Sequence, residues 1–385
     1  MFDVTESLRG LVEARGSDLH LKAGAPPLMR LEGDLVPAAG AAALAPEDTH
    51  GAVLRMLTDE TKLAEFATDH EVDFSFAMEG VARFRVNAFH QRGTVSLVCR
   101  AIPERIRTLD ELSLPPVIGE MALEERGIIL LTGTTGSGKS TTLAAMIDHI
   151  NERFARHVMT IEDPIEFLHR DKRSVINQRE VGMDTVSFTR ALRRVLRQDP
   201  DVILIGEMRD EETVHTALSA AETGHLVLST VHTVDAGETI NRIIDFFPPH
   251  MHGQVRAMLA GTLKGVVSQR LVKGRDGGRV ATCEVLRMTG RVRDMIMDPA
   301  QTGKLTEVIA DGGYYGMQTF DQALFAHVKA GRVEVEEAVR AASSPHDFKL
   351  LLAADGRRGT SMEDVAQAEA QRTPSSAPPP GRVAA

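Results

Sequence analysis

Gly127-Ile-Ile-Leu-Leu-Thr132, then Gly133-Thr134-Thr135-Gly136-Ser137-Gly138-Lys139-Ser140, then Thr141-Thr-Leu-Ala-Ala-Met-Ile-Asp-His-Ile150 is the stretch that decides the fold. The first six residues read as an apolar strand and the last ten as a helix. The eight between them match the phosphate-binding loop in full, in the strand-before, helix-after context that the pattern requires. Its glycines let the backbone wrap closely around phosphates, where side chains would block the approach. Backbone N–H groups and the positive end of the following helix then face the negative charge. The pattern assigns Lys139 to the β- and γ-phosphates of ATP and Ser140 to Mg2+. Thr141 completes the phosphate-facing set. A Gly-rich turn with a chance Lys-Ser would not carry both flanks.

Outward from this loop, three more short apolar runs recur, at Val158–Ile161, Val202–Ile205 and Leu226–Thr230. Runs of this length suit strands buried on both faces of a parallel sheet, with helices as crossovers. The polar residues at their ends are the candidate chemistry, because ligands bind at the carboxyl edge of such sheets. Asp201-Val-Ile-Leu-Ile-Gly-Glu207 places a carboxylate there, and Glu207 is the candidate general base for an attacking water. Thr160-Ile-Glu162-Asp163-Pro-Ile-Glu166 brings three acids within five positions, suited to Mg2+ or water, although Asp-Pro is also an ordinary turn signal. His225 and His232 bracket the fourth run, and a histidine can sense a phosphate or relay a proton near neutral pH. Arginines fall in two groups, Arg83, Arg85, Arg92 and Arg100, then Arg190, Arg193, Arg194 and Arg197. Spacing does not choose among them.

The first hundred residues differ in pattern. Helical spacing at Phe2–Glu13 and Glu47–Phe66 alternates with strand-like runs at Asp18–Leu21, Leu28–Leu31, Val72–Phe76, Ala82–Phe89 and Thr94–Ile102. This predicts a small α+β domain over residues 1–105 with a mostly antiparallel sheet, and a linker over 106–120. The α/β domain should occupy 121–355, turning largely helical from about Met251 apart from a hairpin-like Arg279–Leu286. Residues 356–385 are rich in Ala, Ser and Pro and read as a disordered tail.

Composition narrows the function. Of 385 residues, 44 are Lys or Arg and 54 are Asp or Glu, a formal net charge of −10. Such a balance gains little from non-specific attraction to DNA or anionic lipid, so no direct nucleic-acid partner is expected. The two cysteines, Cys99 and Cys283, lie in apolar runs and read as buried thiols; two cannot build a four-cysteine zinc site. No apolar run is long enough to span a bilayer, and the first residues lack a signal-peptide core, so a cytoplasmic location is expected.

With these residues in hand, the chain resembles the secretion and pilus traffic ATPases, and within them the PilT-type retraction ATPases of type IV pili. The resemblance runs from about residue 1 to 355. It rests on GSDLHL at 16–21, RFRVNAF at 83–89, GTTGSGKSTTLAAMID at 133–148, TIEDPIEF at 160–167, INQREVG at 176–182, LRQDPDVILIGEMRD at 196–210, AAETGHLVLSTVHT at 220–233 and GMQTFDQAL at 316–324. It implies a RecA-like P-loop NTPase domain behind a PAS-like N-terminal domain. It also implies a homo-hexameric ring at the inner face of the cell membrane, working on an inner-membrane platform protein and indirectly on the pilin filament. It supports Lys139, Ser140, Glu207, Glu162, Glu166, His225 and His232 as site residues, and favours Arg83 and Arg100 as arginines reaching the phosphates. One departure is Arg291, in Arg291-Val-Arg-Asp-Met-Ile296, where such ATPases usually carry a small apolar residue. Assembly and secretion motors of the same superfamily, and a RecA-like DNA motor, are the competing readings.

Overall fold

A computed structural model describes residues 2–31, 33–102 and 105–358, the last four as backbone only. The tail expected over 356–385 therefore lies outside the described residues, save that the final helix continues to Arg358.

The chain opens with α1 (Val4–Glu13), whose Asp3 side chain accepts from the Thr5 and Glu6 backbone N–H groups and so satisfies two of the helix's orphan donors. Strands β1 (Asp18–Lys22), β2 (Leu28–Leu31) and β3 (Asp34–Pro37) follow. Next come helices α2 (Pro46–Met56) and α3 (Glu60–Asp69), then strands β4 (Glu71–Met78), β5 (Ala82–Gln91) and β6 (Thr94–Ile102). The six strands form one antiparallel sheet in the order β3-β2-β1-β6-β5-β4. Alternation decides which side is buried: Phe84, Val86 and Ala88 of β5 join Leu8, Leu11 and Val53 in a core. The intervening Arg83 and Arg85 are thereby committed to the opposite face.

The second sheet begins after α4 (Pro116–Ala122) with β7 (Gly127–Thr132), and α5 (Lys139–Arg153) follows the phosphate loop. Then come β8 (His157–Glu162), β9 (Val175–Glu180), α6 (Phe188–Val195), β10 (Val202–Ile205), α7 (Glu211–Glu222), β11 (Leu226–Val231), α8 (Ala236–Asp245) and α9 (His252–Thr262). Strands β12 (Leu263–Lys273) and β13 (Arg279–Arg287) and helices α10 (Gly290–Met297), α11 (Leu305–Asp311), α12 (Phe320–Lys329), α13 (Val335–Ala341) and α14 (Pro345–Arg358) complete the described chain. The strand order is β13-β12-β7-β11-β10-β8-β9, parallel throughout except for β13. Ile128 and Leu130 of β7 face a core shared with α7, α8 and α9, while Ile129 and Leu131 face one shared with α4 and α5. Coverage on both faces explains why these strands read as unbroken apolar runs. Both cysteines are buried, and burial pushes each thiol up to about 12.

Two strands depart from the sequence expectation. Leu263–Lys273, placed in a largely helical region, is an eleven-residue strand running parallel to β7. Its apolar Leu263, Val266, Val267 and Leu271 fall at helical as well as strand spacing; the β-branched valines and the long pairing with β13 decide for strand. Val175–Glu180 is an edge strand whose mixed, half-exposed residues carry no clean alternation. In α10, Val292, Met295 and Ile296 are buried, while Arg291 points outward within 3.9 Å of Asp311. The unusual arginine therefore costs the core nothing.

Candidate nucleotide site

The strand order brings the ends of β7, β8, β10 and β11 side by side, and a cavity of about 520 Å³ opens above them. Thr135, Gly136, Lys139, Ser140, Glu162, Asp163, Glu166, Glu207, Arg209 and His232 all line it. Residues up to 97 positions apart in sequence thus meet in one place, because parallel strands put all their carboxyl ends on one edge.

The loop is held from below. Gly133 has φ +140°, and a Cβ there would sit 2.4 Å from the Gln269 carbonyl oxygen. Gly138 has φ +90°, and its Cβ would meet the Gln269 side-chain amide at 2.7 Å. Gln269 itself, buried on β12, donates through Nε2 to the Ser137 carbonyl at 2.8 Å and accepts from the Thr142 hydroxyl at 2.7 Å. The Lys139 ammonium donates to the Gly133 and Thr134 carbonyls at 2.7 and 3.1 Å. Burial pulls the Lys139 pKa down, and the Glu166 carboxylate partly restores it. The Ser137 hydroxyl is buried with no hydrogen-bond partner, an orphaned donor inside the loop.

The carboxylates have different surroundings. Glu162 is pushed upward by burial, against hydrogen bonds from the Thr160 hydroxyl at 2.6 Å and the Gln178 amide at 3.2 Å. Glu207 is ion-paired with Arg209, and its second oxygen lies 3.4 Å from His232 Nε2. Burial, then Lys139 and Arg209, hold His232 below its ordinary value, so the ring is neutral near pH 7. The Thr230 hydroxyl donates to the Gly206 carbonyl and fixes the turn that carries Glu207.

Three expected residues fall elsewhere. His225 lies at the amino end of β11, where its ring faces the Ala220 carbonyl and its own carbonyl accepts from Gly127 N–H. A six-residue strand separates it from His232 by ~20 Å, so the two histidines cannot share one site within a chain. Arg83 is taken by Glu180 at 2.8 Å and does not line the cavity. Arg100 pairs with Asp18 at 2.8 Å, but it also lines a smaller cleft of about 170 Å³ with Arg85, Thr141 and Glu166, next to the phosphate loop. Burial opposes ionisation of Asp18, but the Ser17 hydroxyl and the Arg100 guanidinium outweigh it and hold the carboxyl below its usual range. Arg209, Gln178 and Gln269 were not singled out from sequence. The first two stand inside motifs already quoted, whereas Gln269 carries no local signal.

This geometry defines a P-loop nucleotide hydrolase. Residues 56–340 match the family described as Type II/IV secretion system protein. The chain is 45% identical over 346 residues to the type IV pilus retraction ATPase PilT of Pseudomonas aeruginosa, spanning 90% of this chain and 100% of that one. It is 44% identical over 346 residues to the type IV pilus ATPase PilU of the same organism, spanning 90% of each. The crystal structure of the pilus retraction motor PilT with bound ADP superposes with a TM-score of 0.84 at 41% identity, covering 90% of this chain and 99% of that one. The chain belongs to the type II/IV secretion family, in its PilT-type retraction ATPase branch, and it is an ATPase.

Proposed function

We propose that this ATPase drives retraction of a type IV pilus. The observation that carries the reading is the match along the whole length of a pilus retraction ATPase, combined with a cavity that gathers Lys139, Ser140, Glu162 and Glu207. In this reading residues 121–355 form a RecA-like motor, residues 1–105 a PAS-like domain, and 106–120 the joint between them. Six copies form a ring at the cytoplasmic face of the inner membrane and act on a platform protein there, pulling pilin subunits out of the filament. Among the described residues no helix is long and apolar enough to cross a membrane, consistent with a peripheral position.

The site residues take these roles. Lys139 turns from the loop carbonyls to the β- and γ-phosphates of ATP, and the N–H groups of residues 133–141 cradle the phosphate oxygens. Ser140 and Glu162 would hold Mg2+. The fit is sound because Glu162 is a half-buried carboxyl with no cationic partner among the described residues, which a metal would supply, and Mg2+ needs few protein ligands when phosphates provide the rest. Mg2+ held there would supply positive charge to neutralise charge developing on the phosphates. Glu207 takes a proton from the attacking water, oriented by neutral His232, while Glu166, in the loop after β8, and Arg100, on β6 of the first sheet, close the site's open side. Coupling such contacts to movement of one sheet against the other supplies the mechanical output.

The test is a count of surface pili, with surface motility, on cells lacking the gene. Extra pili with lost motility are expected. Bald cells would make the chain an assembly or secretion motor. ATPase stimulation by DNA that disappears with added salt would point to a DNA motor.

A further inference from the structure

We propose that a groove beside Tyr314 and Tyr315 is the docking site for this chain's own segment Pro378-Pro379-Pro380-Gly381-Arg382. The sequence contains only two tyrosines, and both are here. Tyr314 is 93% exposed and Tyr315 49%, with their rings edge-to-face at 5.2 Å. Large aromatic surface placed in water in this way is characteristic of binding sites. The groove, about 420 Å³, is walled by Pro115, Pro116, Val117 and Glu120 opposite the tyrosines. It is a built feature. Gly316 has φ +76°, and a Cβ on it would lie 2.8 Å from the Val117 Cβ, so the turn carrying the tyrosines is seated directly on α4.

Three observations select the occupant. Aromatic-walled grooves recognise proline-rich segments, because proline's fixed φ leaves little entropy to lose and its ring stacks on the aromatic face. The chain carries three consecutive prolines at 378–380 outside the described residues. Charge is compatible: Glu120, 60% exposed, lines the groove together with Arg287, which it meets at 2.7 Å, and Arg382, two positions after the prolines, would share that carboxylate. Reach is also sufficient. The nineteen residues from 359 to 377 can span ~60 Å when extended, more than the width of a domain. Because tether and groove belong to one chain, a weak contact suffices at the effective concentration a short linker gives.

The absence of tryptophan and the presence of two tyrosines make the test clean. The full chain is labelled with 3-fluorotyrosine, so that every 19F resonance reports on this groove, and is compared with full chains carrying Pro378→Ala/Pro379→Ala/Pro380→Ala or Arg382→Gln. The expected result is a shift of both resonances in the proline variant, a smaller shift in the same direction for Arg382→Gln, and easier quenching of tyrosine emission by acrylamide in each. Superimposable spectra of wild type and proline variant overturn the proposal. A groove filled by a second copy or by another protein gives that same indifference to the tail.

Discussion

Arg83 is the residue on which family resemblance and geometry disagree, and removing it separates the two. The resemblance favours a phosphate contact; the structure buries the guanidinium against Glu180, which is 6% exposed and also accepts from the Ser75 hydroxyl at 2.8 Å and the Ile165 N–H at 3.1 Å. Ser75 and Arg83 belong to the first sheet, Glu180 ends β9 of the second, and Ile165 lies in the loop between β8 and β9. The carboxylate is therefore a strut between the sheets. Truncating one partner of such a buried pair costs ~3–5 kcal/mol, because the other charge is left unpaired. Arg83 retains 16% exposure, which places the loss at the lower end, ~3 kcal/mol. At ~2–4 °C per kcal/mol for a sizeable domain, Arg83→Ala should lower the melting temperature by ~6–12 °C. Glu180→Ala should do much the same. The double variant should lose ~2 kcal/mol less than the sum, since both singles remove one shared contact. ADP affinity, measured by titration calorimetry well below the melting range, should change less than about threefold, which is under 1 kcal/mol. An unshifted melting curve together with a tenfold or greater loss of ADP affinity would refute the strut and return Arg83 to the phosphates.

Lys139→Ala should abolish ATP turnover by removing the charge proposed to face the β- and γ-phosphates; steady-state phosphate release at wild-type rate sinks that role. Glu207→Gln should keep ATP binding while turnover falls at least ~100-fold, and equal losses of both would instead make Glu207 structural. Gln269→Leu strands the Ser137 carbonyl and the Thr142 hydroxyl, each costing ~1–3 kcal/mol, so nucleotide affinity and melting temperature should both drop. Glu284, on β13, is pushed up to about 7 by burial, against a hydrogen bond from Ala236 N–H, with Asp235 adding to the rise and Arg270 opposing it. The folded state therefore binds this proton more tightly than the unfolded chain does. Stability from this group is fully present below about pH 4.5 and is lost as pH rises through 7, by ~3 kcal/mol. Melting temperatures from pH 5 to 8 should fall less steeply in Glu284→Gln than in wild type, and parallel curves would contradict the assignment.

What was legible from sequence follows from how local each signal is. The phosphate loop, with its strand and helix, is a contiguous pattern whose geometry depends on glycines within it, so Gly133 to Ser140 could be read outright. The apolar runs ending in Glu162 and Glu207 were legible because a parallel sheet buries both faces and exposes only its edge. Residues 263–273 were not, since their apolar spacing fits helix and strand alike and only the neighbours β7 and β13 settle it. Gln269 was lost with them: a lone glutamine becomes a brace for the phosphate loop only once β12 lies beside β7. The arginines show the same limit from another side, because alternation predicts that Arg83 and Arg85 share a face of β5 but not that Glu180 waits opposite one of them.

The two histidines around β11 carry this argument furthest. In sequence they look equivalent, each flanking the same apolar run at about the same distance. A parallel strand is directional, however, and only its carboxyl end meets the phosphate loop. The structure accordingly gives His232 to Glu207 and leaves His225 beside the Ala220 carbonyl at the far edge. The kinetic consequence is an asymmetry. His232→Asn should lower kcat and alter the pH–rate profile, because it exchanges a neutral ring against the base for an amide of different reach. His225→Asn should leave both unchanged in a chain assayed without neighbours. If His225→Asn slows turnover only in assembled rings, the far edge of β11 must act through the adjoining subunit, because within one chain the length of the strand forbids it.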